Sequence, residues 1–189
     1  MGKKPLLKRQ VQTLRNNVRG KPLQELLLNL GVDLFLRSSD LLSLKVKDVI
    51  SESGKVKTEV KVKQKKTGRT TLSIPLSKNS INSIKKHLMD REQDDYIFKG
   101  NKSHYTLSPI THRQYSRIVK GWMSSLGVED VSEYSTHSLR KTKPSEIYKQ
   151  TQNVEICRRL LSHSNCTSTS QYLGIEDSDA LKVARNINI

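Results

Sequence analysis

The chain contains the run Thr136-His137-Ser138-Leu139-Arg140-Lys141-Thr142, then Leu160-Leu161-Ser162-His163-Ser164, then Gln171-Tyr172-Leu173. These three runs bring four chemically active side chains close together in the sequence: His137, Arg140, His163 and Tyr172. Cationic donors around one phenol suit the binding of an anion that the phenol oxygen can attack. In a chain of net charge +16, the anion that we expect is a nucleic-acid phosphate.

Positive charge is spread along the whole chain. The 189 residues include 34 Lys and Arg against 18 Asp and Glu, and no single terminal run holds the excess. Such a distribution indicates a basic face on a folded body and favours nucleic acid as a partner over a flexible basic arm. An ordinary solvated basic surface is the alternative interpretation.

Several other classes of protein are disfavoured. Two cysteines, Cys157 and Cys166, are too few for a secreted disulfide framework, and no stretch approaches the roughly 20 apolar residues of a membrane span. His163 lies three residues before Cys166, and Asp94 adjoins Asp95, but neither pair has the further ligands of a metal site. The sequence also lacks a P-loop and a dinucleotide fingerprint. We therefore expect no metal and no cofactor.

The N-terminal part predicts two helices and a buried arginine. Residues 1–21 contain no acid, and Leu7, Val11, Leu14 and Val18 recur at helical spacing, which indicates an amphipathic helix with a basic outer face. Pro22 then opens a leucine-rich helix that we expect at the centre of the core. Beyond it, Arg37 stands at an element boundary before Ser38-Ser39-Asp40, and Asp40 is the candidate partner of Arg37. That ion pair without any catalytic role is the alternative interpretation.

Alternating residues predict a small sheet. Val56–Val62 and then Thr70, Leu72 and Ile74 alternate as two strands of a hairpin, and Val46–Ile50 is expected to supply a third strand. The predicted fold class is thus α+β, mainly helical with a small three-stranded antiparallel sheet. The hairpin tip carries three cations that either form a solvated turn or reach a DNA groove: Lys65, Lys66 and Arg69.

The sequence after Ser77 predicts a series of consecutive helices. Ser77 caps one that ends near Leu88, and Ser108-Pro109 starts another that stops at Gly127. Thr136 is expected to cap a helix beginning at His137 and Asn153 to cap the next, while Pro144 is expected to interrupt the former. A turn over Ser164–Ser170 and a short helix over Asp177–Arg185 complete the prediction. The outer face of the helix after Ser108 carries three cations that can contact a duplex backbone: Arg113, Arg117 and Lys120.

These residues together resemble the catalytic domain of the tyrosine recombinases, the phage integrase family, from about Leu23 to Ile175. The resemblance rests on five boxes in the family's order: Leu36–Leu44 around Arg37, Lys66 before Thr67-Gly68, His137-Ser138-Leu139-Arg140, Leu161-Ser162-His163-Ser164, and Tyr172. The sequence departs from the family pattern at Leu34-Phe35, where members often have Thr-Gly, and at Lys143-Pro144. Both departures are expected to affect geometry, because neither removes a chemical group.

The resemblance implies the fold of DNA breaking–rejoining enzymes and a metal-free mechanism. Tyr172 would attack a DNA phosphodiester and form a 3′-phosphotyrosine, and Arg37, Arg140 and His163 would hold the phosphate. His137 would assist proton transfer with Tyr172, Lys66 would protonate the leaving oxygen, and Asp40 would orient Arg37. Six further cations would contact DNA: Lys65, Arg69, Arg113, Arg117, Lys120 and Lys141.

The resemblance also implies an organisation and partners. Residues 1–21 would be a basic linker or first helix, 22–175 the catalytic domain and 176–189 a tail, with the N-terminal core-binding domain absent. The partners would be double-stranded DNA attachment sites and other recombinase protomers, as a tetramer on DNA and a monomer in solution, without a membrane. We expect a cytoplasmic, nucleoid-associated protein of bacterial or phage origin that integrates or excises a mobile element.

Two other functions fit the same boxes. A type IB topoisomerase would use similar groups, but Thr169-Ser170-Gln171-Tyr172 lacks the lysine that such enzymes tend to carry before the tyrosine. A DNA-binding regulator on this fold would bind DNA without forming a phosphotyrosine. Among the other tyrosines, Tyr134 is the alternative nucleophile, because it lies just before the His137 box.

Overall fold

A computed structural model describes residues 3–100 and 108–175, together with residues 181 and 185. The predicted terminal helix Asp177–Arg185 therefore lies almost entirely outside the described residues, as does Tyr105. In the described part of the chain, every helix is too short or too polar to span a bilayer.

The described chain is mainly helical. Its elements are α1 (Lys8–Asn17), α2 (Pro22–Leu34), α3 (Ser38–Leu42), α4 (Val46–Val49), β1 (Glu59–Val60), β2 (Ile74–Pro75), α5 (Lys78–Leu88), α6 (His112–Ser125), a 3-10 helix (Val131–Glu133), α7 (Thr136–Thr151), α8 (Val154–Leu161) and α9 (Cys166–Leu173).

Helix α2 lies at the centre of the core, as its leucines predict. Pro22 occupies its first turn, and Leu26, Leu27, Leu28 and Leu30 are almost completely buried. Helices α1, α5 and α7 pack around it, so that α2 has little polar face left. Burial of these side chains, each worth about 1.5–3 kcal/mol, makes α2 the element that positions the others.

The contact of α2 with α6 and α7 depends on Gly31. A Cβ atom at this position would lie 2.8 Å from the Tyr115 hydroxyl oxygen and 3.0 Å from Leu139 Cδ2. Both distances are shorter than ordinary van der Waals contacts, so that only a residue without a side chain allows these helices to approach so closely.

The prediction of a third strand is wrong. The described sheet has two strands, in which Val60 pairs with Ile74 in antiparallel register, while Val46–Val49 forms the short helix α4. The Asp48 carboxylate accepts a hydrogen bond from the Lys45 backbone N–H at 2.7 Å, which stabilises the first turn of α4. Val46 and Val49 are both buried at a helical spacing of three. Local capping therefore outweighs the β-propensity of the valines.

The predicted interruption at Pro144 is also absent, because α7 continues from Thr136 to Thr151 with the proline inside it. Pro144 is buried, and its carbonyl oxygen lies 3.4 Å from the Cys157 Sγ of α8. Packing against α2 and α8 thus holds the helix together despite the roughly 3 kcal/mol that an internal proline costs.

Helix boundaries differ from the expected ones in three places. Helix α6 begins at His112, capped by Thr111, instead of at Ser108-Pro109. Helix α7 is capped by Ser135, one residue before the predicted cap. The predicted turn Ser164–Ser170 is mostly helix α9, whose cap is Asn165.

Candidate active site

Arg37 reaches the site from a sharp turn at the end of α2. Phe35, which ends α2, has the left-handed backbone angles φ 38° and ψ 38° and is buried. This turn directs the chain outward, and Arg37 follows as the extended residue before α3. Its Nη1 donates a hydrogen bond to Gln64 Oε1 at 2.7 Å.

The expected Arg37–Asp40 ion pair is not among the salt bridges of the described residues. Asp40 is buried, and its Oδ1 accepts a hydrogen bond from the Lys65 backbone N–H at 3.0 Å, while its Oδ2 has no described partner. Asp40 thus anchors the hairpin tip, and Gln64 takes the role of orienting Arg37.

Gln64 is a site residue that the sequence interpretation missed. Its Oε1 also accepts a hydrogen bond from the Thr67 hydroxyl at 3.0 Å, so that it connects Arg37 to the turn of the hairpin. The sequence signal for Gln64 was its place in the alternating pattern of the strand. Val60, Val62 and Gln64 alternate on the buried face, and a polar residue at an inward position needs a partner.

Arg140 is a buried cation with few partners. It lies in the first turns of α7, its residue is 4% exposed, and its Nη2 donates to the Leu161 carbonyl oxygen at 3.2 Å. Its Nε is buried without a hydrogen-bond partner, and among the described residues no carboxylate lies within 4.0 Å of the guanidinium. Burial lowers the pKa of Arg140, which shows the cost of holding this charge away from water.

His163 is positioned by the junction of α8 and α9. Ser162 ends α8 in the left-handed conformation, and Arg158 Nη1 donates to the His163 carbonyl oxygen at 2.9 Å. The His163 Nδ1 lies 3.1 Å from the buried Thr169 hydroxyl. Burial, with Arg140 and Arg37 adding to it, lowers the pKa of His163 to about 4, so that the imidazole is neutral at pH 7.

Tyr172 lies on α9 against these cations. The Arg140 Cζ is 5.7 Å and the Lys141 Nζ 4.8 Å from the centre of its ring, and the His163 ring meets it edge-on at 5.3 Å. Its hydroxyl oxygen is buried and has no described hydrogen-bond partner. Burial raises the pKa of Tyr172, and the positive charges of Arg140 and Arg37 oppose that rise. The phenol is therefore protonated at neutral pH.

One cleft joins Arg37, His163 and Tyr172, whereas Arg140 lies beside the Tyr172 ring and is not part of the described lining. The volume of the cleft is about 470 Å³, and Arg37, Arg69, His163 and Tyr172 line it. The structure therefore brings residues from three distant parts of the sequence to one place. Tyr134, the alternative nucleophile, is buried and is not part of this lining.

The other predicted site residues surround the cleft at different depths. His137 at the start of α7 is exposed in part, and the desolvation of the rest of its side chain, followed by the charges of Arg140, His112 and Lys141, lowers its pKa. Lys66 is exposed on the hairpin and is not part of the lining. Lys141 is buried against the Tyr172 ring. Four further predicted contacts are exposed: Lys65, Arg113, Arg117 and Lys120.

Within the described ranges, no three His, Cys, Asp or Glu side chains come close enough together to hold a metal ion. The adjacent carboxylates are paired with cations, because Asp94 lies 2.8 Å from Lys47 Nζ and Asp95 lies 2.5 Å from Lys99 Nζ.

Known proteins share this fold and sequence pattern. The phage integrase family model matches residues 4–178. A relative from Bacillus subtilis, the probable integrase/recombinase YoeC, is 29% identical, and the match covers 94% of this chain and 96% of that protein. A tyrosine recombinase of Pseudothermotoga lettingae is 25% identical over 92% of this chain, which spans 57% of that protein.

Solved structures agree with the fold. The XerA recombinase superposes over 100% of this chain and 67% of its own with a TM-score of 0.77 at 14% identity. The XerH site-specific recombinase bound to its difH substrate gives 0.72 at 18% identity, over 97% of this chain and 54% of its own. These matches confirm a mainly helical fold with a small antiparallel sheet. The five boxes and the family match lead to one conclusion, that the chain belongs to the phage integrase family, the tyrosine recombinases.

Proposed function

We propose that the chain is a site-specific DNA recombinase, which cuts and rejoins DNA through a 3′-phosphotyrosine intermediate and integrates or excises a mobile element. The observation that carries this proposal is Arg140, a buried guanidinium that lies beside the Tyr172 ring and whose Nε has no hydrogen-bond partner among the described residues. A buried cation is costly unless an anion compensates it. The scissile phosphate of DNA is the compensating anion.

The cleft, together with Arg140 beside the Tyr172 ring, offers the donors that a phosphodiester needs. Arg37 and Arg140 supply two guanidinium groups for its non-bridging oxygens, and bidentate contacts of this kind are strong and directional. His163 is neutral in the free protein, so that it donates one hydrogen bond through whichever ring nitrogen carries the proton. In the pentacoordinate transition state more negative charge builds up on these oxygens, and preorganised donors stabilise it most at that point.

The cleavage step conserves bond energy. The Tyr172 oxygen attacks phosphorus, its proton passes to His137, and the bond from phosphorus to the 5′ oxygen breaks. Lys66 gives a proton to that leaving oxygen, so that a 3′-phosphotyrosine and a 5′-hydroxyl remain. In the second step a 5′-hydroxyl from a partner strand gives its proton to Lys66 and attacks the phosphorus. The new DNA bond forms as the bond from phosphorus to the Tyr172 oxygen breaks, and His137 returns the proton to the phenol. The hairpin must bring the exposed Lys66 over the cleft for this role, and Asp40 holds the backbone beside it.

Cations around the cleft extend the interface to the rest of the duplex. Arg69 lines the cleft itself, and Arg113, Arg117 and Lys120 are exposed on α6. We assign residues 22–175 as the catalytic domain, 1–21 as a basic linker or first helix and 176–189 as a tail. Strand exchange between two duplexes requires two cuts in each, which a tetramer of protomers on DNA supplies, while the free chain is a monomer.

The test is covalent capture of a nicked duplex that carries the attachment site from the flanks of the chain's own gene. The nick lets the cut fragment diffuse away, so that the protein stays bound to DNA and migrates as a slower band on a denaturing gel. Wild type and the matched control Tyr134→Phe form the band, whereas Tyr172→Phe forms none.

The same experiment separates the alternatives. Undiminished capture by Tyr172→Phe would refute the assignment of the nucleophile. Salt-dependent DNA binding by wild type without any covalent band would indicate a regulator. Relaxation of supercoiled plasmid without strand exchange between two sites would indicate a topoisomerase.

A further inference from the structure

A second cleft, of about 530 Å³, opens between α1, α2 and α5. None of the residues that line it lines the cleft of Tyr172. Its walls carry cations and side-chain amides from α1, from the turn after α1 and from α5: Arg15, Arg19, Lys86, Gln12, Asn79 and Asn82. The surface is therefore made of donors on both sides.

Arg15 is held in place in this cleft without a carboxylate. It is partly buried, and its Nε donates to Asn29 Oδ1 at 2.9 Å, while Asn29 Nδ2 donates to Ser83 Oγ at 2.7 Å. Asn29 is itself 6% exposed, so that this chain of hydrogen bonds is a fixed part of the core. Among the described residues neither Arg15 nor Arg19 forms a salt bridge. A fixed, partly desolvated cation facing an open cleft is a site for an anion.

The carboxylate in the described lining is already engaged. Glu25 accepts hydrogen bonds from the Gly20 backbone N–H, from Lys86 Nζ at 3.1 Å and from His87 Nε2 at 2.7 Å. Burial acts to raise the pKa of Glu25, but these donors together outweigh it and lower the pKa. Glu25 therefore stays charged in the lining, Lys86 and His87 offset its charge, and Arg15 and Arg19 are the cations left to meet an entering anion.

Two of the three helices around the cleft, α1 and α5, contain no acidic residue. Helix α1 reads KRQVQTLRNN and helix α5 reads KNSINSIKKHL, with no Asp or Glu in either. Further cations, among them Lys8, Arg9, Lys78 and Lys85, are exposed on the same two helices. An acidic protein partner would be expected to find apolar anchors at the centre of its interface, whereas the side chains in this lining are polar or charged. A repeating phosphate backbone matches such a surface better.

We propose that the cleft between α1 and α5 binds the sugar–phosphate backbone of DNA at a place separate from the catalytic cleft. The inference rests on the proposed function, because a chain that recombines DNA encounters duplex beyond the segment that it cuts. The cleft grips flanking or second-duplex DNA through Arg15 and Arg19, with the amides as further donors.

The experiment measures DNA affinity over a salt series for Arg15→Gln/Arg19→Gln. Two duplexes are compared, one limited to the cleavage site and one extended by several helical turns. On the extended duplex, loss of two phosphate contacts lowers the slope of log K against log salt by about 1.8 and the affinity at 0.1 M salt by roughly ten- to sixty-fold. On the limited duplex, affinity and covalent capture through Tyr172 stay at the wild-type level.

Two matched variants separate a site from general charge. Arg15→Lys/Arg19→Lys keeps both charges and retains most of the slope. Lys55→Gln/Lys149→Gln removes the same charge from exposed positions elsewhere and is expected to bind the extended duplex like wild type. Thermal unfolding of each variant shows that it is folded.

Three results would overturn the inference: an unchanged slope for Arg15→Gln/Arg19→Gln, an equal loss for Lys55→Gln/Lys149→Gln, or an equal loss on the limited duplex. A polyglutamate peptide that binds wild type but not Arg15→Gln/Arg19→Gln, while both proteins bind the extended duplex equally, would point to an acidic protein instead. Failure of the proposed function is distinguishable, because it removes covalent capture by wild type and leaves the salt slopes measurable.

Discussion

Phe35 offers a test of how the backbone aims Arg37. It occupies the position where tyrosine recombinases often have glycine, and it is buried with φ 38°. A residue with a Cβ atom in this conformation costs roughly 1–2 kcal/mol. Truncation of a buried Phe to Ala costs about 3–5 kcal/mol through lost burial and the cavity, and Phe35→Ala keeps the backbone strain.

Phe35→Gly opens a similar cavity but relieves the strain. Glycine adds about 0.4–1 kcal/mol to the cost through the entropy of the unfolded chain. The difference between these effects leaves Phe35→Gly more stable than Phe35→Ala by about 0.5–1 kcal/mol. Ile84, buried in the interior of α5, is the control, because at Ile84 the order reverses and Ala is more stable than Gly by about 0.5–1 kcal/mol.

The assay is urea unfolding of the four variants, with the free energies extrapolated to water. Covalent capture of nicked DNA is measured under conditions in which each variant is folded. Phe35→Gly is expected to retain capture, because glycine favours the turn that directs Arg37 into the cleft. If Phe35→Ala equals or exceeds Phe35→Gly in stability, the reasoning from a strained left-handed turn is refuted.

Three further predictions concern the catalytic cleft. Gln64→Leu removes the acceptor that orients Arg37, so that capture falls by about 10²-fold with little change in DNA affinity; equal losses in both would show that Gln64 acts on binding. The folded pKa of His163, about 4, lies below its unfolded value near 6.5, so that its contribution to stability is present above pH 6.5 and is lost as the pH falls through 4. After allowance for partial exposure, the free energy of unfolding should fall by about 2 kcal/mol more in wild type than in His163→Gln between pH 7 and 4, as measured by urea titration. Identical losses in the two proteins would contradict the lowered pKa. Lys141→Met removes the ammonium 4.8 Å from the Tyr172 ring and should reduce capture while the salt slope of DNA binding stays constant, whereas a smaller slope would place Lys141 on the DNA surface.

Much of the site could be predicted because its chemistry resides in short sequence boxes. His137, Arg140, His163 and Tyr172 follow in an order typical of the family, and the structure places Arg140, His163 and Tyr172 together. The leucine pattern likewise predicted α2 at the centre of the core. Periodicity and residue type were sufficient here, since both features are local or strongly patterned.

The remaining features have two different physical causes, one local and one tertiary. Val46–Ile50 has the composition of a strand, yet the Asp48 cap and the burial of Val46 and Val49 decide for a helix. Asp40 follows Arg37 closely in sequence, but Asp40 accepts a hydrogen bond from the hairpin backbone at Lys65, and Arg37 donates to Gln64. The partner of Arg37 is set by a long-range contact with the hairpin, which the local pattern does not encode, whereas the cap of α4 is a local contact that competes with the β-propensity of the valines.

The absence of a side chain at Gly31 has a consequence for how this active site can evolve. Helix α2 leads directly to Arg37, and α7, which carries Arg140, meets α2 at Gly31 through Leu139. One added methyl group at position 31 would therefore act as a spacer between the helices that carry the two phosphate-binding arginines. In a lineage that acquires alanine here, a smaller side chain at position 115 or 139 is the expected companion, so that these positions should change together.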